Sequence, residues 1–441
     1  MTKTSIKLNV PKLVLFPPAT SINEEDHLVI GGCDTVKLAE EYGTPLYVYD
    51  EAGLRARCRD FREEFGGRYP AVDVLYACKA FTTRAMLLLV MEEGLGLDVV
   101  SGGELEIARS VDFPVEKVSF AGNNKSAAEL ELAIASGIGT LVVDNLPEVE
   151  MLRDIIGGRR FRALLRLAPG IDPHTHAYNT TGCLDSKFGL TLATWDEAVA
   201  KALAIPGLDL LGLHFHLGSG IFELEPYLKS IQVVLDYAAE IKKRHGFVTK
   251  ILSIGGGYGV QYVPEAVPPP ISTYAEIITG EVKTQCHRLG LNLPRLVIEP
   301  GRAIVARNGV ALYRVGVIKD IPGIRRYVSV DGGMGDNIRQ PMYGARQEAL
   351  LANRAAEKET VKVTISGKYC ESGDILIKET NLPEPHPGDI LAMAGSGAYA
   401  IPMQSNYNGN LRPAVVFVKE GLASLVRRRE TVADLTRCDI D

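Results

Sequence analysis

Four kinds of side chain stand where they could do chemistry together. Lys79 lies in Tyr76-Ala77-Cys78-Lys79-Ala80, at the end of an apolar run. His214 and His216 end another run and lead into Gly218-Ser219-Gly220. A third run opens into Gly255-Gly256-Gly257, and a fourth into Glu299-Pro300-Gly301-Arg302. Consecutive glycines let backbone N–H groups approach an anion closely, and beside Gly301-Arg302 the triple glycine reads as a site for a phosphate monoester. On its own the same triplet would be a flexible turn. A lysine above such a site is a candidate Schiff-base amine, because a desolvated ammonium gives up its proton more easily. Lysine, phosphate site and carboxylate together point to pyridoxal phosphate, with Glu299 placed to keep the pyridine nitrogen protonated and His216 placed to stack on the ring.

These residues need a scaffold that gathers them at one end. Eight apolar, β-branched runs recur between residues 70 and 302: Val72–Ala77, Leu97–Val100, Val118–Ala121, Thr140–Val143, Ala163–Leu167, Leu210–Leu217, Ile251–Ile254 and Leu296–Ile298. Helical spacing fills the stretches between them. Eight alternating units predict a TIM (β/α)8 barrel, whose chemistry sits at the C-terminal ends of its strands. An open, doubly wound sheet is the competing reading. After residue 302 the pattern turns to alternating strands with Gly and Pro turns, which predicts an all-β domain with one helical stretch over 339–357. The expected domains are therefore an N-terminal segment, 1–45, packing on the β domain; a barrel, 46–302; and a C-terminal β domain, 303–441.

The 441 residues are 46% apolar and carry a net charge of −6, which excludes disorder and argues against a nucleic-acid partner. The basic run Arg427-Arg428-Arg429 reads as a solvated face. No run of 18 apolar residues occurs, no signal-peptide core is seen, and the seven cysteines contain no Cys-x-x-Cys pair, so a cytoplasmic location is expected and a membrane partner is not. The His174/His176 and His214/His216 pairs could face a metal on one side of a strand, but no third ligand at suitable spacing accompanies them, and no metal is expected.

The ordered motifs Tyr-Ala-Cys-Lys-Ala (76–80), Asp-Val-Val-Ser-Gly-Gly-Glu-Leu (98–105), Gly-Asn-Asn-Lys (122–125), His-Thr-His (174–176), Ser-Lys-Phe-Gly (186–189), His-Leu-Gly-Ser-Gly (216–220), Gly-Gly-Gly-Tyr-Gly (255–259), Glu-Pro-Gly-Arg (299–302) and Cys-Glu-Ser-Gly-Asp (370–374) span nearly the whole chain. Through them the chain resembles the fold-type III, alanine-racemase-like, pyridoxal-phosphate-dependent decarboxylases, and within them the branch acting on meso-2,6-diaminopimelate. The resemblance implies that Lys79 carries the cofactor, His216 stacks on it and Glu299 pairs with its ring nitrogen. It assigns the phosphate to Ser219, Gly255, Gly256, Gly257, Gly301, Arg302 and Tyr399. It assigns the distal end of the substrate to Arg302, Arg339, Tyr343, Tyr399 and Glu371, and the proton donor to Cys370, whose thiol keeps its proton if buried. It also implies a homodimer in which the Cys370 loop reaches the partner's cofactor. Decarboxylases of ornithine, arginine, D-amino acids or carboxylated polyamines, a racemase, and a non-catalytic homologue are the alternatives. The chain departs from the family pattern at Gly335, where asparagine is common, at Tyr369, where histidine is frequent, and at Gln340 in Arg339-Gln340-Pro341-Met342-Tyr343.

Overall fold

A computed structural model describes residues 10–172, 181–182 and 185–440. His174, His176 and Cys183 lie outside the described residues. The chain forms two compact units, one of residues 57–259 and 268–303, the other of residues 1–56, 260–267 and 304–441.

The first unit is a closed parallel barrel of eight strands: β1 (Val72–Ala77), β2 (Gly96–Val99), β3 (Val118–Phe120), β4 (Thr140–Val143), β5 (Phe161–Arg166), β6 (Leu208–His214), β7 (Ile251–Ser253) and β8 (Arg295–Ile298). Closure comes from β8 pairing with β1, Leu296 opposite Val72. This excludes the open sheet. Each strand falls within two or three residues of the run that predicts it. The helices between them start and stop on local chemistry. Ser126 and Glu129 close a capping box on helix Ala127–Ser136, which ends at Gly137 in the left-handed region. Asn145 caps helix Leu146–Ile156, and Ser101 caps helix Gly102–Arg109.

The second unit is built on a mixed sheet with the strand order 375–382, 361–366, 325–330, 309–321, 46–50, 414–419, 422–427. Strand Leu46–Asp50 is buried along its whole length, antiparallel to 309–312 and parallel to 414–418. The barrel unit therefore begins after residue 56 rather than at 46. The reason is pairing: strands 309–312 and 414–418 flank Leu46–Asp50 on its two edges. The N-terminal segment contributes Leu15, Phe16, Leu28 and Ile30 to the same core as Leu46, Val48, Val310 and Val416. The helix expected over 339–357 is only Arg339–Tyr343. Gly344, in the left-handed region, ends it, and Ala349–Leu351 is instead a fully buried strand paired with 391–393. Among the described residues no helix is long and apolar enough to cross a membrane.

Candidate active site

The C-terminal ends of the barrel strands collect the predicted chemistry. β1 ends in a tight turn, Cys78–Ala80, that turns Lys79 out of the strand. Its ammonium stands 3.6 Å from Asp98, one strand over. Asp98 is 1% exposed and neither of its oxygens accepts a hydrogen bond. Burial, and next the charge of Glu299, push its carboxyl up, with Lys79 opposing.

Glu299 follows β8 and is held from two sides. Ser253 Oγ donates to its Oε1 at 2.7 Å, and His214 Nε2 lies 3.1 and 3.2 Å from Oε1 and Oε2. Burial alone would raise its carboxyl, but the His214 charge and hydrogen bond and the Ser253 hydroxyl more than reverse that and hold it low. An ionised carboxylate at this point suits a protonated pyridine. His214 is thus the group that fixes Glu299.

His216 sits above the glycine loop. Its Nδ1 accepts the Gly256 N–H at 3.2 Å, which leaves the proton of the neutral ring on Nε2. Burial, then the charges of Lys79 and Arg166, push its pKa well down, so the ring stays neutral. Gly256 is therefore committed to orienting the imidazole through its N–H. The loop tolerates nothing larger than glycine. A Cβ at 255 would fall 2.5 Å from His216 Nδ1, and one at 256 would fall 2.2 Å from the Glu299 carbonyl oxygen. Gly255 and Gly257 also take φ of +70° and +102°. Tyr227 braces the loop by donating to the Gly256 carbonyl at 2.8 Å, inside an aromatic cluster with Tyr258 and Tyr274. Beside the loop, Arg302 Nε donates to Ser219 Oγ at 2.9 Å.

Two residues without a role in the sequence reading complete this end. Arg166 is 6% exposed, pairs with Asp144 at 3.2 Å and lies 4.5 Å over the Phe188 ring. Asp98 is the other. The signal for both was inward phase: each is the polar residue at the last inward position of its strand. Lys125, from the Gly-Asn-Asn-Lys motif, is instead a buried brace between Glu148, at 2.9 Å, and the Val142 and Gly122 carbonyls.

The remaining predicted residues belong to the sheet unit. Arg339 is 4% exposed, its guanidinium 4.0 Å over the Tyr262 ring and 3.3 Å from the Gly395 carbonyl. Tyr343, on the same short helix, reaches Met403 Sδ at 3.9 Å. Tyr399 takes a positive φ of 58°. Cys370 and Glu371 lie on the turn between strands 361–366 and 375–382 and are exposed in their own chain. The turn is nevertheless braced. Asn408 Oδ1 accepts the Cys370 N–H at 2.8 Å, and Asp374 accepts the N–H groups of Tyr369 and Met334 at 2.8 and 2.6 Å. Tyr369 stacks on Tyr407 with centroids 6.1 Å apart. Its ring occupies the space a side chain at 335 would need, since a Cβ there would lie 2.3 Å from the Tyr369 hydroxyl. The departures at 335 and 369 are thus one packing solution.

The barrel end fits pyridoxal phosphate. It presents an amine, a carboxylate held ionised, a flat neutral imidazole, and a glycine cradle with the Ser219 hydroxyl and Arg302 beside it. Residues 51–306 match the family model described as "Pyridoxal-dependent decarboxylase, pyridoxal binding domain". The chain is 44% identical to a diaminopimelate decarboxylase of Halalkalibacterium halodurans over 97% of this chain and 98% of that one. It is 46% identical to that of Bacillus subtilis, over 95% and 96%. Among solved structures it is similar to diaminopimelate decarboxylase from M. jannaschii in complex with L-lysine, with TM-score 0.89 and 32% identity over 96% of this chain and 98% of that one. The enzyme from Helicobacter pylori, also with L-lysine, gives TM-score 0.85 and 30% identity over 92% and 98%. A near-full-length match in sequence and in fold, on a barrel end with this donor set, places the chain in the diaminopimelate decarboxylase family of the pyridoxal-dependent decarboxylases.

Proposed function

We propose that the chain removes CO₂ from meso-2,6-diaminopimelate and leaves L-lysine, the closing step of lysine biosynthesis, with pyridoxal phosphate as its cofactor. The observation that carries this reading is the pair of opposed groups at the barrel end, the Lys79 amine and an ionised Glu299 clamped by His214 and Ser253. Pyridoxal phosphate would supply an aldehyde for the substrate amine and a ring that takes up the electron pair left on the carbon when CO₂ departs.

The chain's residues do the rest. Lys79 would hold the cofactor through its side-chain amine at the end of β1. Glu299 keeps a proton at the ring nitrogen, and neutral His216 stacks without adding a charge that would compete with it. Gly255, Gly257, Gly301, Ser219, Arg302 and Tyr399 hold the phosphate, with Gly256 orienting His216 beside them. Arg302, Arg339, Tyr343 and Tyr399 grip the distal carboxylate, and Glu371 takes the distal ammonium. Bidentate arginine contacts to that carboxylate select against lysine and ornithine, which lack it. Cys370 gives its thiol proton to the carbon that lost CO₂. Because the Cys370–Glu371 turn is exposed in its own chain, we assign it to the site of a second copy, in a homodimer. The six free cysteines among the described residues support a cytoplasmic location.

The test is CO₂ release by the purified, cofactor-loaded protein offered meso-diaminopimelate, LL-diaminopimelate, L-ornithine, L-arginine and L-lysine separately. Release from the meso isomer alone, with L-lysine in equal amount, is expected. Release from ornithine or arginine would overturn the assignment of Arg302, Arg339 and Glu371. No release from any of them, with cofactor bound, would favour a racemase or a silent homologue.

A further inference from the structure

A TIM barrel ordinarily fills its interior with layers of branched side chains. This one leaves a gap on its axis. In a strand, residues two apart share a face, so Val297 and Glu299 point inward together, as do Gly96 and Asp98, and Ser119 and Ala121. Below the catalytic end, the inward positions of β2, β3 and β4 are Gly96, Ser119 and Thr140, which are small or hydroxylic. Opposite them stand Leu164, Ile251 and Val297. The space between is a cavity of about 270 Å³. It cannot be closed from Gly96, where a Cβ would already fall 2.4 Å from the Lys117 carbonyl and 2.5 Å from Leu75.

The cavity has two ends. Its outer mouth lies among Asp73, Glu116 and Lys117, at the N-terminal ends of β1 and β3. Its inner end is Glu299, beyond the C-terminal end of β8. From the level of Arg295 to that of Glu299 is roughly 13 Å of strand. A cavity of this size with hydroxyls on its wall, charges at its mouth and a carboxylate at its end holds water, where an apolar void would stay dry.

We propose that the barrel carries an axial water channel from its N-terminal mouth to Glu299, separate from the mouth through which substrate enters. Through it the Glu299 carboxylate stays in contact with bulk water even when the catalytic end is filled. The channel stands on the barrel geometry alone; only its consequence for the reaction rests on Glu299 facing the cofactor.

The test places a thiol in the channel wall by Ser119→Cys and treats the cofactor-loaded protein with methyl methanethiosulfonate, mapping the label by peptide mass. The expected result is labelling at 119 at a rate unchanged by saturating L-lysine, and slowed by at least an order of magnitude when Thr140→Phe is added as a plug. Thr140→Cys is the second probe, should Ser119→Cys disturb packing, and the same behaviour is expected of it. Labelling that L-lysine blocks would mean entry from the catalytic end, and labelling only after unfolding would mean a closed interior; either overturns the channel. Activity is not the readout, so failure of the decarboxylase assignment leaves the test intact.

Discussion

Gly335 and Tyr369 are 34 positions apart in sequence and compete for one volume. A Cβ at 335 would stand 2.3 Å from the Tyr369 hydroxyl and 2.4 and 2.5 Å from two ring carbons. The backbone at 335 is not in the left-handed region, so the penalty for a side chain there is steric and nothing else. Gly335→Asn must drive the Tyr369 ring out of a site where it is 9% exposed and stacked on Tyr407. Overpacking of this kind costs about 2 kcal/mol. Tyr369→His removes ring atoms and the hydroxyl and leaves a partial void, for about 1 kcal/mol. The void is where the Asn side chain needs to go, so the double variant is expected to be more stable than Gly335→Asn alone, with a favourable coupling of about 1–2 kcal/mol. Denaturant titration of the four proteins measures this. Because Tyr369 is bonded to Cys370, kcat for the meso substrate should follow the same pattern, falling in Gly335→Asn and recovering in the double variant. Strict additivity of the two stabilities would refute the packing argument. Recovery of stability without recovery of kcat would separate the packing from the placement of Cys370.

Further outcomes follow from the barrel end. Lys79→Ala is expected to abolish the near-visible absorbance of lysine-bound cofactor, and a persisting band would point to another lysine. Cys370→Ala should lower kcat with KM nearly unchanged, since a proton donor acts only after substrate is bound; unchanged turnover would remove the thiol from the reaction. Gly256→Ala places a methyl 2.2 Å from the Glu299 carbonyl, so weaker cofactor binding and a lower melting temperature are expected by equilibrium dialysis and calorimetry. Asp98 has a folded-state pKa raised by burial and then by Glu299, so the folded state binds its proton more tightly than the unfolded chain. Its ionisation therefore costs stability progressively as pH rises above the ordinary carboxylate range, and Asp98→Asn removes that cost. The variant should gain melting temperature over the parent on going from acid to neutral pH, and a gain that shrinks with pH would reverse the sign.

What the sequence by itself determined is what local pattern carries. The short apolar, β-branched runs, with helical spacing between them, placed all eight barrel strands. The catalytic-end residues Lys79, His216, Glu299 and the triple glycine were legible because each follows a strand directly. Tertiary structure decided the rest. Leu46–Asp50 joined the mixed sheet because two distant strands flank it, a fact of pairing that no local pattern contains. The helix after Arg339 stopped at Gly344 because Ala349–Leu351 gains more as a buried strand against 391–393. Asp98, Arg166 and His214 look like ordinary strand-end polar residues until closure of the barrel turns them toward Glu299, where burial and neighbouring charge give each its role. Gly335 and Tyr369 read as two unrelated departures, and only the fold, by placing them in contact, makes them one.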